Sequence, residues 1–462
     1  MSFVSFEFGA FLAIVYAAYW LLRRRGWQNA LLLVASYVFY GYIHPWFCWL
    51  LAASTVVDYF CGWGMVWRPR HRKVFLAVSL LGNLGMLGFF KYFGFFADNV
   101  AALLGRAGLH ADVFTLQVLL PVGISFYTFQ TLSYTIDIYR GETHPRRNFV
   151  DYALYVAFFP QLVAGPIERA KRFLPQIESE RCWRYDDLAE GAALMVRGFF
   201  KKMVIADNVA VYVDKIFMLE HPTLSLLAVG ALAFAVQIYT DFGGYTDIAR
   251  GTARLLGFHL IENFRSPYLA VSPSDFWRRW HISFSSWIRD YLYIGLGGSR
   301  VGSWAGHLRV LLLTMGLAGL WHGAAWHFVI WGLYHGLLTF AYRRLGFGGR
   351  WVPVTFVGNA LAVAVMLCFT LVGWLLFRTP HMGWLIAALS RPVWGVTGDA
   401  GVVCVVVLAF TACFAAPLFV LYALDRWFSR ARPLHALFHG AALVAIIVFF
   451  LDSQQSFIYF QF

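Results

Sequence analysis

Charged residues are scarce in this sequence: they make up only 13% of its 462 residues, whereas 60% are hydrophobic. A soluble domain carries about 25% charged residues. Because so few charges cannot solvate the surface of a chain this long, the composition excludes an ordinary soluble protein. It predicts an integral membrane protein.

Cysteine is also rare, with six residues and no CxxC pair. Five lie in or beside apolar segments, and Cys182 lies in a loop. This pattern indicates neither a disulfide framework nor a thiolate metal site. No metal site is therefore predicted.

Apolar runs near the length that crosses a hydrocarbon core of about 30 Å recur along the chain. The candidate spans are 3–22, 28–43, 47–66, 74–95, 116–136, 150–165, 189–215, 222–240, 306–320, 324–343, 354–377, 400–424 and 434–452. Some are short or interrupted. We therefore predict an all-α polytopic protein with about eleven transmembrane helices and additional re-entrant pieces.

Basic loops predict the orientation of the first spans. The first apolar segment lacks a basic n-region and is too long for a cleavable signal, and "RRRG" follows it directly. The positive-inside rule places residues 23–25, 67–73 and 139–147 in the cytoplasm. The three loops agree with one another, so the N terminus is expected on the periplasmic side.

The net charge of +13 does not indicate a nucleic-acid partner. The basic residues lie in short loops next to spans, with no basic domain behind them. Membrane orientation and contact with anionic lipid headgroups explain this distribution more simply.

The sequence predicts a single membrane domain, 1–462. It has N-terminal spans in 1–115, a core in 118–345 and C-terminal spans in 350–462.

The core contains most of the polar residues at membrane depth, where they are costly and seldom lack a role or a partner. In 120–140, Pro121 and Gly123 interrupt a span that also contains Gln130. A kinked helix with satisfied hydroxyls is favoured there over a polar cavity. In 158–173, prolines and a glycine predict a re-entrant loop beside Glu168 and Arg169, which form an ion pair or a site.

The stretch "IYTDFGGYTDIARG" (238–251) contains a DFG sequence, but a kinase is excluded because no Gly-rich phosphate loop or HRD-to-Asn spacing accompanies it. Asp241 and Asp247 remain, around a Gly-Gly pair at the end of an apolar span. Buried carboxylates need partners. Either aspartate is expected to pair with Arg or Lys, to cap a helix, or to help form a substrate entry.

The stretch 266–298 predicts an amphipathic helix at the membrane interface. Ser272, Pro273 and Asp275 resemble an N-cap, an N1 proline and an acidic N3 residue. At 100° per residue, one face would contain Trp277, Trp280, Phe284, Trp287 and Tyr291, with His281 at its edge and Arg278 and Arg289 beyond it. Taken alone, His281 is more often a packed interfacial histidine than a catalyst.

Three histidines, His322, His327 and His335, lie in the apolar stretch "LWHGAAWHFVIWGLYHG" (320–336). Metal binding there is disfavoured because His322 and His327 would lie about 140° apart on one helix, unlike the i, i+4 pair of HExxH. A buried imidazole stays neutral near pH 7 and can act as a general base. Gly323 would permit close approach of a substrate or of backbone. The chemistry alone does not choose between His322 and His327.

Together, several ordered motifs resemble the membrane-bound O-acyltransferase (MBOAT) family, most closely the bacterial branch that O-acetylates alginate and other exopolysaccharides. The resemblance covers about 118–340. It is carried by "PVGISFYTFQTLSY", "PQLVAGPIERA", "YTDFGGYTDIA", "FWRRWHISFSSWIRD" and "LWHGAAWHFVIWG", with the ending "FIYFQF" (457–462) also typical of the branch.

The resemblance implies a ring of tilted helices around a central tunnel and assigns roles to residues. His322, in the WHG motif, would be catalytic, with His281 assisting or shaping the channel. His327 and His335 would be packing or tunnel-lining residues. The other residues expected to line the tunnel or bind substrate are Trp321, Trp326, Gln130, Asp241, Trp280 and Arg278.

The resemblance also implies reactants and partners. An acyl group, most simply from acetyl-CoA, would come from the cytosol, and a periplasmic or membrane-anchored SGNH-type acetyltransferase partner would place it on a polysaccharide. No bound cofactor is implied. The alternatives are D-alanyl transfer to teichoic acid by a related MBOAT protein, or a transporter, which an inverted repeat would favour.

Overall fold

A computed structural model describes residues 1–108, 120–163, 165–393, 399–428, 431–450 and 457–458. Within these ranges the regular secondary structure is helical. The described chain divides into two compact units: one comprises residues 1–192 and 249–261, and the other residues 193–248 and 262–462.

The first unit is built from short and medium-length helices. These are α1 (Phe6–Leu21), α2 (Arg25–Gly41), α3 (Phe47–Trp67), α4 (Arg72–Leu87), α5 (Phe93–Arg106), α6 (Ile124–Tyr139), α7 (Phe149–Ala157), α8 (Phe159–Leu162) and α9 (Ala170–Glu178). A π-helical segment, Gly88–Tyr92, joins α4 to α5. The helix α10 (Tyr185–Phe199) contributes residues to both units.

The second unit contains the remaining helices. They are α11 (Asp207–Met218), α12 (Leu224–Leu255), α13 (Pro273–Arg279), α14 (Ile282–Trp287), α15 (Trp304–His322), α16 (Trp326–Arg344), α17 (Phe356–Arg378), α18 (Met382–Leu389), α19 (Asp399–Trp427) and α20 (Arg432–Val448). The end of α12 belongs to the first unit. π-Helical segments occupy Phe200–Ala206 and Ile288–Tyr293.

Five helical segments are long and apolar enough to cross a membrane: Phe47–Trp67, Pro69–Arg106, Leu224–Leu255, Phe356–Arg378 and Asp399–Trp427. Large apolar side chains on α19, such as Val402 and Val405, are about two-thirds exposed. Such surfaces are compatible with lipid rather than water. The protein is thus an all-helical membrane protein, and eleven spans stay a prediction.

Two predicted elements differ from the structure in the first unit. The candidate span 150–165 is not one helix, because α7 ends at Ala157 and the backbone of Phe158 leaves the helical conformation.

The segment 120–140 is not a kinked helix. Gly123, at φ 80°, precedes the first residue of α6, and a Cβ there would lie 2.5 Å from the carbonyl oxygen of Leu162.

Candidate active site

The Trp-rich segment is two helices rather than one continuous amphipathic helix. Ser272 caps α13 by accepting a hydrogen bond from the Asp275 N–H, as predicted. The helix then ends at Arg279, and His281 adopts a left-handed conformation with φ 43° before α14 begins. The prediction of a single helical face was therefore wrong, because a residue at positive φ interrupts the helical repeat.

Backbone pairing holds this break in place. The Arg265 N–H donates to the Arg279 carbonyl oxygen at 3.0 Å, and the Ile282 N–H donates to the Asn263 carbonyl oxygen at 3.0 Å. The Asn263 side-chain oxygen also accepts the Ser283 N–H at 3.1 Å. These bonds satisfy groups on both sides of His281 that a continuous helix would have paired internally, so its conformation is defined by its neighbours.

His281 is fully buried, with 0% relative exposure. Its ring meets Phe242 edge-on at 4.7 Å between centroids and stacks on Phe284 at 5.0 Å. Burial lowers the pKa of His281 to about 3. Its imidazole is therefore neutral at physiological pH and has a nitrogen able to accept a proton.

His322 is the last residue of α15, and Gly323 follows in an extended conformation before α16 begins at Trp326. His322 and His327 therefore lie on different helices, and the prediction that they share one helix about 140° apart was wrong. His322 is buried, at 4% exposure. Trp331 and Phe377 pack edge-on against its ring, with centroids 5.0 and 5.4 Å away.

One phenyl ring contacts both histidines. Phe284 stacks on His281 at 5.0 Å and lies 5.3 Å from His322. The predicted tunnel residue Trp321 stacks on the same ring at 4.4 Å. His281 and His322 are 41 positions apart in sequence. They thus share one buried aromatic enclosure, which is formed by Phe242, Phe284, Trp321, Trp331 and Phe377. The sequence analysis placed Phe284 only on a helical face, because its contact with both histidines depends on how α14 packs against α15.

Close helix packing places His322 in this enclosure. A Cβ on Gly319 would lie 2.1 Å from the Phe328 carbonyl oxygen, and one on Gly332 would lie 2.0 Å from the Met315 carbonyl oxygen. The backbones of α15 and α16 are therefore in direct contact. Gly323 faces the ring of Phe328, where an added Cβ would lie 2.1 Å away. The group that approaches Gly323 closely is thus the Phe328 side chain, rather than the neighbouring backbone that the sequence analysis named.

Asp241 and Asp247 each pair with a lysine, as one of the sequence alternatives predicted. Lys202 Nζ lies 2.7 Å from Asp241 and 2.8 Å from Asp207, with all three side chains almost fully buried. Lys201 Nζ lies 2.6 Å from Asp247. The capping alternative was wrong, since α12 continues to Leu255 and both aspartates lie inside it.

The C-terminal residues Phe457 and Ile458 lie against the same helix. The Ile458 N–H donates to the other carboxylate oxygen of Asp241 at 2.7 Å. Phe457 packs on Tyr245 at 4.3 Å and on Phe242 at 5.8 Å. Since Phe242 contacts His281, this charged cluster and the C-terminal segment both support the wall of the enclosure. The remaining "YFQF" residues, 459–462, lie outside the described residues.

The other predicted residues lie in different surroundings. Trp280 is buried and stacks on Phe276, whereas Trp326 is 56% exposed. Arg278 donates to the Gly349 carbonyl oxygen at 2.6 Å. Gln130, in the first unit, is buried and donates to the Tyr155 carbonyl oxygen.

The other two histidines of 320–336, His327 and His335, pack on rings other than Phe284. His335 is buried against Trp277 and Trp331, with centroids 5.1 and 4.9 Å away. His327 is half-buried beside Phe328. His335 thus packs on Trp331, the ring that also contacts His322.

A pair of adjacent glycines supplies a direct test of the contact between α10 and α12. A Cβ on Gly244 would lie 2.8 Å from the Gly198 carbonyl oxygen, whereas one on Gly243 would meet only Phe264, at 3.8 Å. We expect Gly244→Ala to lower the free energy of unfolding by about 1–3 kcal/mol, because the backbones must separate. Gly243→Ala should leave it unchanged or raise it by up to about 1 kcal/mol. Chemical denaturation in detergent would measure both, and equal effects would contradict the packing described.

The fold and site define a class: a helical membrane protein with two buried histidines in an aromatic enclosure. A family profile described as "MBOAT, membrane-bound O-acyltransferase family" matches residues 144–347. The probable alginate O-acetylase AlgI of Pseudomonas putida is 43% identical over 377 residues, covering 80% of this chain and 76% of the relative.

The names of two more distant relatives refer to other acceptors of the acyl group. The peptidoglycan O-acetyltransferase of Helicobacter pylori is 35% identical over 409 residues, covering 81% of this chain and 76% of the relative. The teichoic acid D-alanyltransferase of Bacillus subtilis is 27% identical over 280 residues, with coverage of 55% and 68%. The chain belongs to the membrane-bound O-acyltransferase family, and it is an O-acyltransferase.

Proposed function

We propose that this enzyme transfers an acetyl group from cytosolic acetyl-CoA across the membrane for O-acetylation of an exopolysaccharide such as alginate. The observation that carries this proposal is the shared contact of His281 and His322 with Phe284. It brings two proton-accepting groups into one site largely closed to water. The 43% identity to an alginate O-acetylase supports the choice of acetyl group and polymer over D-alanyl transfer, where identity is 27%.

In the proposed reaction, the His322 imidazole takes the proton of the acceptor hydroxyl while the hydroxyl oxygen attacks the carbonyl carbon of the thioester. The carbon–sulfur bond then breaks, and the imidazolium returns the proton to the departing thiolate. His281 assists by holding the shape and polarity of the enclosure. Exclusion of water by the surrounding rings protects the thioester from hydrolysis.

We propose that the protein lies in the cytoplasmic membrane with its N terminus in the periplasm and about eleven spans around a central tunnel. An SGNH-type periplasmic partner receives the acetyl group and places it on the polymer. Three basic loops in the N-terminal region support this orientation through the positive-inside rule.

Polymer acetylation tests the function directly. We expect a host that makes unacetylated alginate, and that carries the SGNH-type partner, to gain O-acetyl esters when the wild-type chain is expressed. Proton NMR of the purified polymer would quantify them, with the empty vector as control. Absence of acetyl esters despite membrane insertion of the chain, or appearance of D-alanyl esters in its place, would refute the proposal.

A further inference from the structure

A buried polar cluster lies between α3, α4 and α6 in the first unit. Its centre is Asp58, which is fully buried, with 0% relative exposure. Asp58 lies near the middle of α3 (Phe47–Trp67), a helix long and apolar enough to cross a membrane. Ionisable side chains inside a membrane are costly, and they commonly belong to ion-binding or proton-transfer sites.

The Asp58 carboxylate is only partly satisfied by its neighbours. Asn83, on α4, donates from its Nδ2 to Asp58 Oδ2 at 2.8 Å, whereas Oδ1 is buried without a hydrogen-bond partner in the described part of the chain. The titratable side chains next to it are Cys61, Tyr134 and Tyr152, which are uncharged near neutral pH. None of them supplies a positive charge. A carboxylate buried in this way requires a cation or a proton.

Hydroxyl groups from three helices surround this carboxylate. Ser79, on α4, and Thr131, on α6, lie beside it. Ser54 lies one turn before Asp58 on the same face of α3. All three hydroxyl residues are at most 1% exposed. Carboxylate and hydroxyl oxygens are hard ligands, and hard metal cations prefer oxygen ligands of this kind.

The hydrogens of these hydroxyl groups are engaged with other acceptors. Ser54 donates to the side-chain oxygen of Asn83 at 2.7 Å, and Thr131 donates to a backbone carbonyl of α6 at 3.1 Å. Ser79 is hydrogen-bonded to Thr135 at 2.9 Å, and Thr135 donates to a backbone carbonyl of α6 at 3.2 Å. The three hydroxyl oxygens therefore keep lone pairs, which bind a cation. A proton would need only one of these oxygens, whereas a metal cation uses several.

We propose that this cluster is a sodium-binding site that joins α3, α4 and α6. Its ligands are Asp58, Ser54, Ser79 and Thr131. Charge balance selects a monovalent ion, because one carboxylate neutralises it, whereas a divalent ion would leave a positive charge in apolar surroundings. Asn83 positions the carboxylate through its 2.8 Å hydrogen bond. The site belongs to the first unit, and it does not depend on the proposed acyl transfer.

Sodium binding to the purified full-length chain in nanodiscs tests the site without requiring catalysis. At constant ionic strength, we expect the melting temperature of wild type to be about 2–4 °C higher in sodium chloride than in choline chloride, because the ion binds the folded state. Asp58→Asn should lose this difference and bind radioactive sodium at least about tenfold more weakly. This variant should remain folded, because the amide has a similar volume and carries no buried charge.

Two further variants sharpen the test. Asp151→Asn is the matched control, since Asp151 is also a buried carboxylate of the first unit but is satisfied by Asn29 at 2.8 Å and Arg25 at 3.5 Å. It should show the same sodium response as wild type. Ser54→Ala keeps the carboxylate and removes one ligand oxygen, so it should bind sodium severalfold more weakly than wild type.

Equal melting temperatures of wild type in the two salts would overturn the proposal, as would an undiminished sodium response in Asp58→Asn. If Asp58 held a proton instead, wild type would bind no sodium and would lose stability as the pH rises, and Asp58→Asn would lack that pH dependence. Loss of the sodium response in Asp151→Asn would also count against a site at Asp58.

Discussion

Replacing Lys202 by methionine is expected to lower the free energy of unfolding by about 3–5 kcal/mol, a large share of the 5–15 kcal/mol typical of a folded protein. The substitution would leave Asp207 and Asp241, which are only 3 and 2% exposed, without their shared cation. Two uncompensated carboxylates repel one another and cannot be hydrated there. Yield of monodisperse protein after detergent extraction, followed by denaturant titration, would measure the effect.

The triple variant Lys202→Met/Asp207→Asn/Asp241→Asn is the matched control. It removes all three charges at similar volume, and the side-chain amide oxygen introduced at position 241 would still accept the hydrogen bond from the Ile458 N–H. We expect it to regain most of the lost stability, because neutral replacement of a buried ion cluster is often tolerated. A triple variant as unstable as Lys202→Met would show that the charges themselves are not the cause.

Replacing His322 by glutamine is expected to reduce acetyl transfer by at least about 10²–10⁴-fold, the usual contribution of a general base. The variant should remain folded, because glutamine fills much of the volume among Trp331 and Phe377. His327→Gln makes the same chemical change on the next helix, beside Phe328 and outside the enclosure. It should retain activity within a factor of a few. Comparable losses in both variants would contradict the assignment of His322.

The sequence predicted the membrane class, and the family resemblance implied roles for His281 and His322, but neither predicted how these two side chains come together. The Trp-rich segment has the 3.6-residue repeat of one amphipathic helix, and that repeat concealed the break at His281. The break depends on pairing with Asn263 and Arg265, which is a tertiary contact. For the same reason, Phe284 could not be recognised in advance as the ring between His281 and His322.

A lysine partner for Asp241 could have been predicted from the sequence. A buried carboxylate needs a cation, and Lys201 and Lys202 are adjacent charges inside the apolar candidate span 189–215. On α12, Asp241 and Asp247 are six residues apart, or roughly 120° around the helix. Two consecutive lysines on a crossing helix can therefore pair with them separately. The Gly-Gly pair is explained by contact as well, since only Gly244 approaches another backbone closely.

Acetyl transfer across a sealed membrane tests the central claim most directly. The purified chain would be reconstituted in liposomes that enclose acetyl-CoA, with the SGNH-type partner and unacetylated polymer outside. We predict that acetyl esters form on the external polymer, that free coenzyme A accumulates inside, and that His322→Gln abolishes both. Intact acetyl-CoA appearing outside would indicate a transporter, and unchanged polymer acetylation by His322→Gln would contradict catalysis at this histidine.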